Sequence, residues 1–504
     1  MVIEKMYSQG PGFLEVNEEV YQRYARLAED SPDSDPEKKL NLVQMAALSA
    51  TRFHSGRFAD GKIENLALRI GQKLAADPQV QAIYSPSGRH RQRRVLHVAT
   101  KLAHIGGHTR MLRIWAERDH DSQHSVVVTD QGKSEVPSWL HRAVEGTGGQ
   151  VIGLEPERSL IDRALTLSAL SRQADVVCLH LHSFDVIPVV AFAVANVPPC
   201  VLIDIADHEF WLGSTIADLN VNLRAEGARF AARRRFPKQS SLLPIPLEVL
   251  PAAGDRTSAR RELGIPDEQV MVLTVGRAEK YRPCLPYDFV ATANRILDRN
   301  PGAHLYLVGE TREGIEPYLR VKPHARLHFM GPKEDPSRFR AAADLYVESF
   351  PFGSQTALLE SALTGLPAIP AYDRAFPLLG TNDDAINHLL PNLTSESEYI
   401  DATSRLIQDA AYRTQLGSQF QDCLQRDHIG ARWDEHLAAL YGQIDRLTHA
   451  PAPIPETESR ADAEDIALSI WHAAADGENW TIEAPSRKLG QQRHAAFVNR
   501  DLGN

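Results

Sequence analysis

One stretch of the sequence combines residue types that can hold a phosphate group. A short apolar run is followed by a glycine turn and polar residues, namely Gly353, Ser354, Gln355 and Thr356. A helix that begins at such a serine can bind a phosphate through its free backbone N–H groups and nearby hydroxyls. Glu360 lies about one and a half turns further along this helix, where a carboxylate can hydrogen-bond a ribose diol. An ordinary capped helix is the alternative interpretation.

Two other loops carry cations or paired glycines. Arg277 and Lys280 follow the apolar run 270–275, and a cation at the end of a strand is well placed to pair with a diphosphate. Gly106 and Gly107 follow an earlier apolar run and open a helix, so the backbone there can approach an anion closely. A solvated loop and a plain tight turn would show the same residues.

Candidate proton acceptors follow two other apolar runs. His182 follows the run 175–181, and Asp207 and His208 follow the run 200–205. Histidine can accept a proton near neutral pH, and an adjacent carboxylate can orient it, which favours His208 by a small margin. The aromatic pair Phe210 and Trp211 could form the floor of a sugar site, or His208 could simply brace that loop. No three residues have a clear metal-ligand spacing, so we predict no metal and no cofactor.

These loops require parallel strands that end on one edge of a sheet. Short apolar runs alternate with amphipathic helical stretches in two successive parts of the chain. The runs in the first part are 95–99, 125–129, 150–154, 175–181 and 200–205, and those in the second are 270–275, 304–308, 327–330, 345–348 and 367–370. Strands without polar alternation, each followed by a helix, predict two doubly wound α/β domains facing a cleft.

Breaks in composition suggest how the chain is divided. Proline-rich stretches occur at residues 237–254 and 449–456, and apolar residues at helical spacing dominate the region before residue 88. The predicted divisions are a helical region (1–88), an acceptor domain (89–248), a donor domain (249–447) and a Pro-rich linker with a tail (448–504).

The overall composition excludes some classes of protein. The chain has 504 residues, with 65 acidic and 55 basic side chains and a net charge of −10. Such a balance disfavours broad nucleic-acid binding, which needs a positive surface. We expect a cytoplasmic protein, because the first residues lack a signal-peptide pattern and no apolar run approaches the roughly 20 residues of a membrane span.

The motifs together resemble those of GT-B glycosyltransferases. Gly106–Gly107, Gly276–Arg277 and the helix with Glu360 followed by Gly365 resemble glycosyltransferase family 4. The stretch from Phe350 to Gly353 and the segment 206–211 are similar to the bacterial N-glycosyltransferase and O-GlcNAc transferase group, family 41. The resemblance covers residues 94–447.

This resemblance implies a GT-B fold and a nucleotide-sugar donor, for which a UDP-sugar is the first expectation. It also implies that Ser354, Gln355 and Thr356 contact the diphosphate with Lys280, and that Glu360 contacts the ribose. Family 4 carries another glutamate near the donor sugar, but this chain has Phe352 there, which favours an inverting displacement. The acceptor stays open among protein, glycan, lipid and small molecule. A nucleotide-sugar epimerase or hydrolase, or a non-catalytic binding module, are the alternatives.

Overall fold

A computed structural model gives the architecture of the chain. It describes residues 2–77, 92–104, 106–248, 255–283, 287–350, 352–372 and 380–475. The chain forms two compact units. Among the described residues, the amino-terminal unit contains Pro11–Pro244 and Asp434–Ile466, and the carboxy-terminal unit contains residues 2–10, Ile245–Trp433 and residues 467–475.

The amino-terminal unit is built on a seven-stranded parallel sheet. Its strands are β1 (Arg93–Ala99), β2 (Ser122–Val128), β3 (Val151–Gly153), β4 (Val176–His180), β5 (Cys200–Asp204), β6 (Leu219–Asn222) and β7 (Ser240–Leu242). Their order is β3-β2-β1-β4-β5-β6-β7, and every pairing is parallel. The direction of winding reverses between β1 and β4, so the carboxyl ends of these two strands flank the usual ligand position of this fold.

The carboxy-terminal unit repeats this arrangement with five strands. They are β8 (Val270–Val275), β9 (Ala303–Val308), β10 (Leu327–Phe329), β11 (Leu345–Val347) and β12 (Ala368–Ile369). Their order is β10-β9-β8-β11-β12, again all parallel. The winding here reverses between β8 and β11. Every strand predicted from the apolar runs is present, and β6 and β7 are additional.

Helices follow most of the strands along the chain and cover the faces of the sheets. In chain order they are α1 (Val2–Asp30), α2 (Pro36–Arg52), α3 (Gly61–Ala75), α4 (Gly107–Arg118), α5 (Ser138–Gly146), α6 (Leu160–Ser171), α7 (Ile187–Ala191), α8 (Ala225–Arg234), α9 (Arg256–Leu263), α10 (Phe289–Arg299), α11 (Arg312–Ile315), α12 (Ser337–Ala342), α13 (Gln355–Leu363), α14 (Glu396–Gln408), α15 (Ala410–His428), α16 (Gly430–Ile444) and α17 (Ala463–Ala475). Within the described ranges, none is both long and apolar enough to cross a membrane.

The helical region at the start of the chain shares its core with the first sheet. Buried Leu40 and Ile63 belong to the same cluster as Leu96, Val177 and Leu179 of the strands. The other face of the sheet packs separately against α4 and α5. Burial on both faces explains the unbroken apolar runs of these strands.

The proline-rich stretch predicted as a linker is bonded to the amino-terminal unit. The backbone N–H of Gly61 donates to Pro455 at 2.9 Å, and the N–H of Arg460 donates to Gly56 at 3.0 Å. The side-chain amide of Asn65 donates to the carbonyl of Ile454 at 2.9 Å. An extended segment has no internal hydrogen bonds, so its peptide groups are satisfied by the helical region. The stretch 449–456 therefore belongs to the amino-terminal unit.

The stretch 237–254 contains the boundary between the two units. This boundary falls between Pro244 and Ile245. Residues 249–254 of that stretch lie outside the described residues, as does the tail after residue 475.

Candidate functional site

The loop that the sequence predicts to bind phosphate follows β11 at the reversal point of the second sheet. Its centre is the fully buried carboxylate of Glu348, which accepts the N–H of Ser354 at 2.7 Å and that of Ala371 at 3.3 Å. The hydroxyl of Thr381 donates to the same carboxylate. A Cβ at Gly353 would lie 2.5 Å from Oε1 of Glu348, so only glycine allows this close approach. Glu348 therefore shapes the loop.

Ser354 presents an unsatisfied hydroxyl at the start of α13. Only 7% of the residue is exposed, and its Oγ has no hydrogen-bond partner among the described residues. It is the N-cap of the helix but makes no side-chain capping bond. A Cβ at Gly276 would lie 2.9 Å from this Oγ, so the loop after β8 also faces it. Buried hydroxyls are normally paired, and a helix N-terminus attracts anions, so this arrangement is suited to a phosphate oxygen.

Lys280 adds a cation to the same loop. Its Nζ donates to the carbonyl of Gly353 and lies 4.5 Å from the centre of the Phe352 ring. Burial lowers the pKa of Lys280 to about 7, and the charge of Arg277 acts in the same direction. A bound diphosphate would therefore draw a proton onto this lysine. The ring of Trp471 in α17 stacks on that of Phe352, with 4.3 Å between the ring centroids, so the carboxy-terminal tail contributes to this loop.

The other residues predicted to bind the donor have different surroundings. The side chain of Arg277 is 73% exposed, and its Nε lies 3.0 Å from Oε1 of Glu279. The amide of Gln355 donates to the carbonyl of Asn382 at 2.8 Å, which ties the helix to the segment after residue 380. Thr356 is half-buried in the first turn of α13. The roles of these residues toward a donor stay predictions.

Glu360 forms an ion pair that the sequence did not reveal. Its carboxylate contacts Nη2 of the buried Arg340 in α12. The Nε and Nη1 atoms of Arg340 have no partner among the described residues. A buried guanidinium with two unused donors is a second place where a polar ligand group could be accommodated. Arg340 was missed because it is one of several arginines in a helical stretch, and only packing distinguishes it.

A buried histidine holds the segment that supplies Thr381. Nε2 of His428 lies 3.0 Å from Oδ1 of Asp383, and Nδ1 lies 2.8 Å from the carbonyl of Ile245. Burial lowers the pKa of His428, but the hydrogen bond and the charge of Asp383 outweigh it and raise the pKa above its ordinary value. A protonated imidazole can donate to both acceptors.

This raised pKa predicts a pH-dependent stability. A group with a higher pKa in the folded state stabilises fully below its unfolded pKa, about 6.5 for histidine, and loses that effect as pH rises through the folded value. We expect the wild-type protein to exceed His428→Gln in melting temperature by more at pH 6 than at pH 9. The exposed His388 on the same segment provides the control. A difference independent of pH would contradict the protonated state.

The first sheet also carries polar residues at its reversal point. Gly106 is the N-cap of α4 with a φ of +153°, a conformation that favours glycine, and Gly107 begins the helix. The N–H of His182 donates to the hydroxyl of Thr100 at 2.8 Å, and its ring lies 6.3 Å from that of His108. Burial and the charge of His108 lower the pKa of His182 to about 4, so this imidazole is neutral at physiological pH.

Asp207 is held in an ion pair. Its oxygens accept from Nε and Nη2 of Arg224 at 2.6 and 2.9 Å. Burial raises the pKa of Asp207, but Arg224 outweighs it and holds the pKa well below the usual range. A carboxylate held in this way is a poor proton acceptor, which weighs against Asp207 as the base. His208 lies 3.7 Å from this carboxylate and 3.8 Å from that of Glu209, with 18% of its side chain exposed.

The aromatic pair after His208 is not a sugar platform. Phe210 is fully buried and Trp211 nearly so, both in the core cluster shared with α1 to α3. The ring of Phe210 lies 6.0 Å from that of Tyr21, and the guanidinium of Arg235 lies 4.3 Å from the ring of Trp211. The expectation that they floor a ligand site is therefore wrong, because the helical region covers them.

One buried group in the described part of the chain has the composition of a metal site. Cys200, Asp218 and His449 bring their ligand atoms within 4.8 Å of one another. However, Nδ1 of His449 lies 2.7 Å from Asp218, and its Nε2 lies 2.8 Å from the carbonyl of Phe192. Both imidazole nitrogens are thus occupied, and the group anchors the proline-rich segment to the sheet.

Two parallel sheets with the same strand order, each with its polar loops at the reversal point, are the GT-B fold of glycosyltransferases. Solved structures with this fold match the chain. A glycosyltransferase from Rickettsia africae is 10% identical with a TM-score of 0.54, covering 71% of this chain and 100% of that one. Sucrose-phosphate synthase from Thermosynechococcus elongatus is 13% identical with a TM-score of 0.50, covering 70% and 99%.

A third structure covers more of the chain. A variant of O-GlcNAc transferase from Thermobaculum terrenum is 14% identical with a TM-score of 0.50, covering 88% of this chain and 84% of that one. At these identities the likeness establishes the fold. No protein-family model matches the sequence. No curated protein matches it either.

Proposed function

We propose that this chain is a metal-independent glycosyltransferase that uses a nucleotide-sugar donor, most simply a UDP-sugar. The observation that carries the proposal is the buried hydroxyl of Ser354 at the start of α13, which has no hydrogen-bond partner among the described residues and follows the Gly353 carbonyl that Lys280 contacts. This pair sits at the reversal point of the second sheet, where doubly wound folds bind their ligands. Every solved structure described above is a glycosyltransferase or a sugar-phosphate synthase by name.

The charged and polar groups of this loop can stabilise a diphosphate as it leaves the sugar. When the bond between the anomeric carbon and the diphosphate breaks, negative charge develops on the leaving oxygen. Protonated Lys280, the hydroxyl of Ser354 and the N-terminus of α13 can stabilise that charge without a metal. Glu360 with Arg340 supplies both acceptor and donor groups for the nucleoside.

The acceptor needs a base, and the geometry favours His182. It is the second residue of the loop after β4, at the reversal point of the first sheet, and it is neutral and so able to accept a proton. His208, which the sequence favoured, lies between two carboxylates at distances longer than hydrogen bonds. Asp207 is committed to Arg224. A base that activates the acceptor lets it attack the anomeric carbon directly. Such a single displacement inverts the configuration at that carbon.

A donor screen tests the proposal. The full chain is melted with UDP-, GDP- and dTDP-sugars, each with and without EDTA. A ligand at about 100 times its dissociation constant should stabilise the protein by roughly 2.7 kcal/mol. We expect stabilisation by UDP-sugars that EDTA leaves unchanged. No stabilisation by any of the three nucleotide classes would refute a donor site, and loss of the effect in EDTA would refute metal independence.

The fate of the bound donor separates this function from its alternatives. A glycosyltransferase releases the nucleoside diphosphate faster when an acceptor is added, whereas an epimerase or a hydrolase converts the donor without one. A binding module leaves the donor intact. The same donor should therefore be followed by chromatography with and without candidate acceptors.

A further inference from the structure

Three residues at the carboxyl edge of the first sheet form a closed ring of hydrogen bonds. The N–H of His182 donates to the hydroxyl of Thr100 at 2.8 Å. This hydroxyl donates to Oδ2 of Asp185, also at 2.8 Å. The N–H of Asp185 donates in turn to the carbonyl of His182 at 3.0 Å, which closes a turn over residues 182–185. Both backbone polar groups of His182 are therefore held by the other two members of the ring.

The direction of each hydrogen bond in this ring follows from the groups that make it. The oxygen of Thr100 must accept from the N–H of His182, because a backbone N–H can only donate. The one hydroxyl proton of Thr100 then points at Asp185. Burial raises the pKa of Asp185, while the hydrogen bonds of Thr129 and Thr100 and the charge of Arg163 favour its ionised form. An ionised carboxylate can only accept, so the ring has a single arrangement of protons.

A second threonine connects the same carboxylate to another strand end. Thr100 directly follows β1, whereas Thr129 directly follows β2 and also donates to Oδ2 of Asp185. The other carboxylate oxygen, Oδ1, accepts the N–H of Ile187 at the start of α7 at 3.1 Å. Asp185 therefore fixes the loop after β4 relative to the ends of β1 and β2.

These polar side chains are buried where apolar residues would fill the space at lower cost. Thr100, Thr129 and Asp185 are 1%, 0% and 4% exposed, and the strands that precede the two threonines end in an apolar cluster. A buried carboxylate lowers stability unless its hydrogen bonds are formed, and apolar residues of similar size carry no such requirement. The polar ring gives the backbone of His182 one fixed position, as a preorganised site requires.

We propose that Thr100 and Asp185 are positioning residues that place His182 for removal of the acceptor proton, an inference that rests on the proposed function. They act through the backbone of the loop after β4 and not on the reacting atoms. The turn sets the imidazole of His182 at centroid distances of 5.9 Å from the ring of Phe184 and 6.3 Å from that of His108. A displacement of about 1 Å at a reacting group can lower a rate by about 10²-fold, so loss of one hydrogen bond of the ring should slow sugar transfer.

Two substitutions of Thr100 in the full chain test this role. Thr100→Val keeps the branched shape without the hydroxyl, and Thr100→Ser keeps the hydroxyl. With water as the acceptor of a UDP-sugar, we expect the single-turnover rate to fall at least tenfold in Thr100→Val, with donor affinity within twofold of the wild type. Thr100→Ser should stay within threefold in rate. Thr129→Val is the matched comparison and should also lose less than threefold, because it removes a hydroxyl from the same carboxylate oxygen. In the described part of the chain, Thr129 makes no hydrogen bond to His182.

Amide hydrogen exchange tests the ring without any turnover and, in the wild type, without any variant. The N–H of His182 lies outside β4 but should exchange as slowly as the amides inside that strand, because Thr100 accepts it. It should exchange at least tenfold faster in Thr100→Val and within threefold of the wild type in Thr129→Val.

Four results would each overturn the positioning role. They are fast exchange of the His182 amide in the wild type, equal transfer rates in the two folded valine variants, a loss of donor affinity that accounts for the slower rate of Thr100→Val, and a rate of Thr100→Ser as low as that of Thr100→Val. Absence of donor turnover in the wild type, with water and with every acceptor, would instead refute the proposed function. Hydrogen exchange would then still decide whether the ring holds His182.

Discussion

Replacing His182 with alanine should reduce the rate of sugar transfer by about 10²–10⁴-fold while leaving donor affinity unchanged. A base acts only in the step where the acceptor loses its proton, so its removal lowers the rate constant and not the binding of the donor. The neutral state of His182 and its place at the end of β4 are the reasons for choosing it.

Single-turnover rates at saturating donor measure this effect, together with melting temperatures. His208→Ala is the matched comparison, because it removes the other candidate base, and we expect it to alter the rate only a few-fold. His141→Ala, at a partly exposed position of α5, controls for the loss of any histidine. A large loss confined to His208→Ala would reverse the assignment. Unchanged rates in both variants would remove histidine from the chemistry.

Replacing Lys280 with methionine should weaken donor binding by about 10- to 100-fold, since a charge-assisted hydrogen bond contributes roughly 1.5–3 kcal/mol. Burial holds the pKa of this lysine at about 7, so binding a diphosphate should also take up a fraction of a proton near pH 7.5. Calorimetry in two buffers of different ionisation enthalpy detects that uptake. It should disappear in Lys280→Met.

Two further variants define the donor site more closely. Ser354→Ala removes the unpartnered hydroxyl and should weaken binding without destabilising the fold. Glu360→Gln is preferable to alanine, because the amide oxygen can still accept from the buried Arg340 although the anion is lost, whereas alanine removes both the anion and the acceptor. Lys322→Met, at an exposed position, is the control for Lys280. Unaltered donor affinity in both Lys280→Met and Ser354→Ala would exclude this loop as the diphosphate site.

The sequence by itself determined the strands and the loops that follow them. Largely apolar runs such as 175–181 and 270–275 predict strands well, because a strand buried on both faces needs apolar side chains at most of its positions. Strands β6 and β7 escaped notice because half or more of their residues are polar. In β6, Asn220 and Asn222 are buried and hydrogen-bonded to each other at 3.2 Å, which no local pattern predicts.

Tertiary structure alone decided which polar residues are available for chemistry. In the sequence, Asp207 is a residue suited to act as a base and Phe210 one suited to contact a sugar. In the structure, Arg224 forms an ion pair with Asp207, and the helical region covers Phe210. The imidazoles of His97, His124 and His180 meet across three neighbouring strands. Such contacts depend on strand order and register, whereas the sequence reports only the periodicity along one strand at a time.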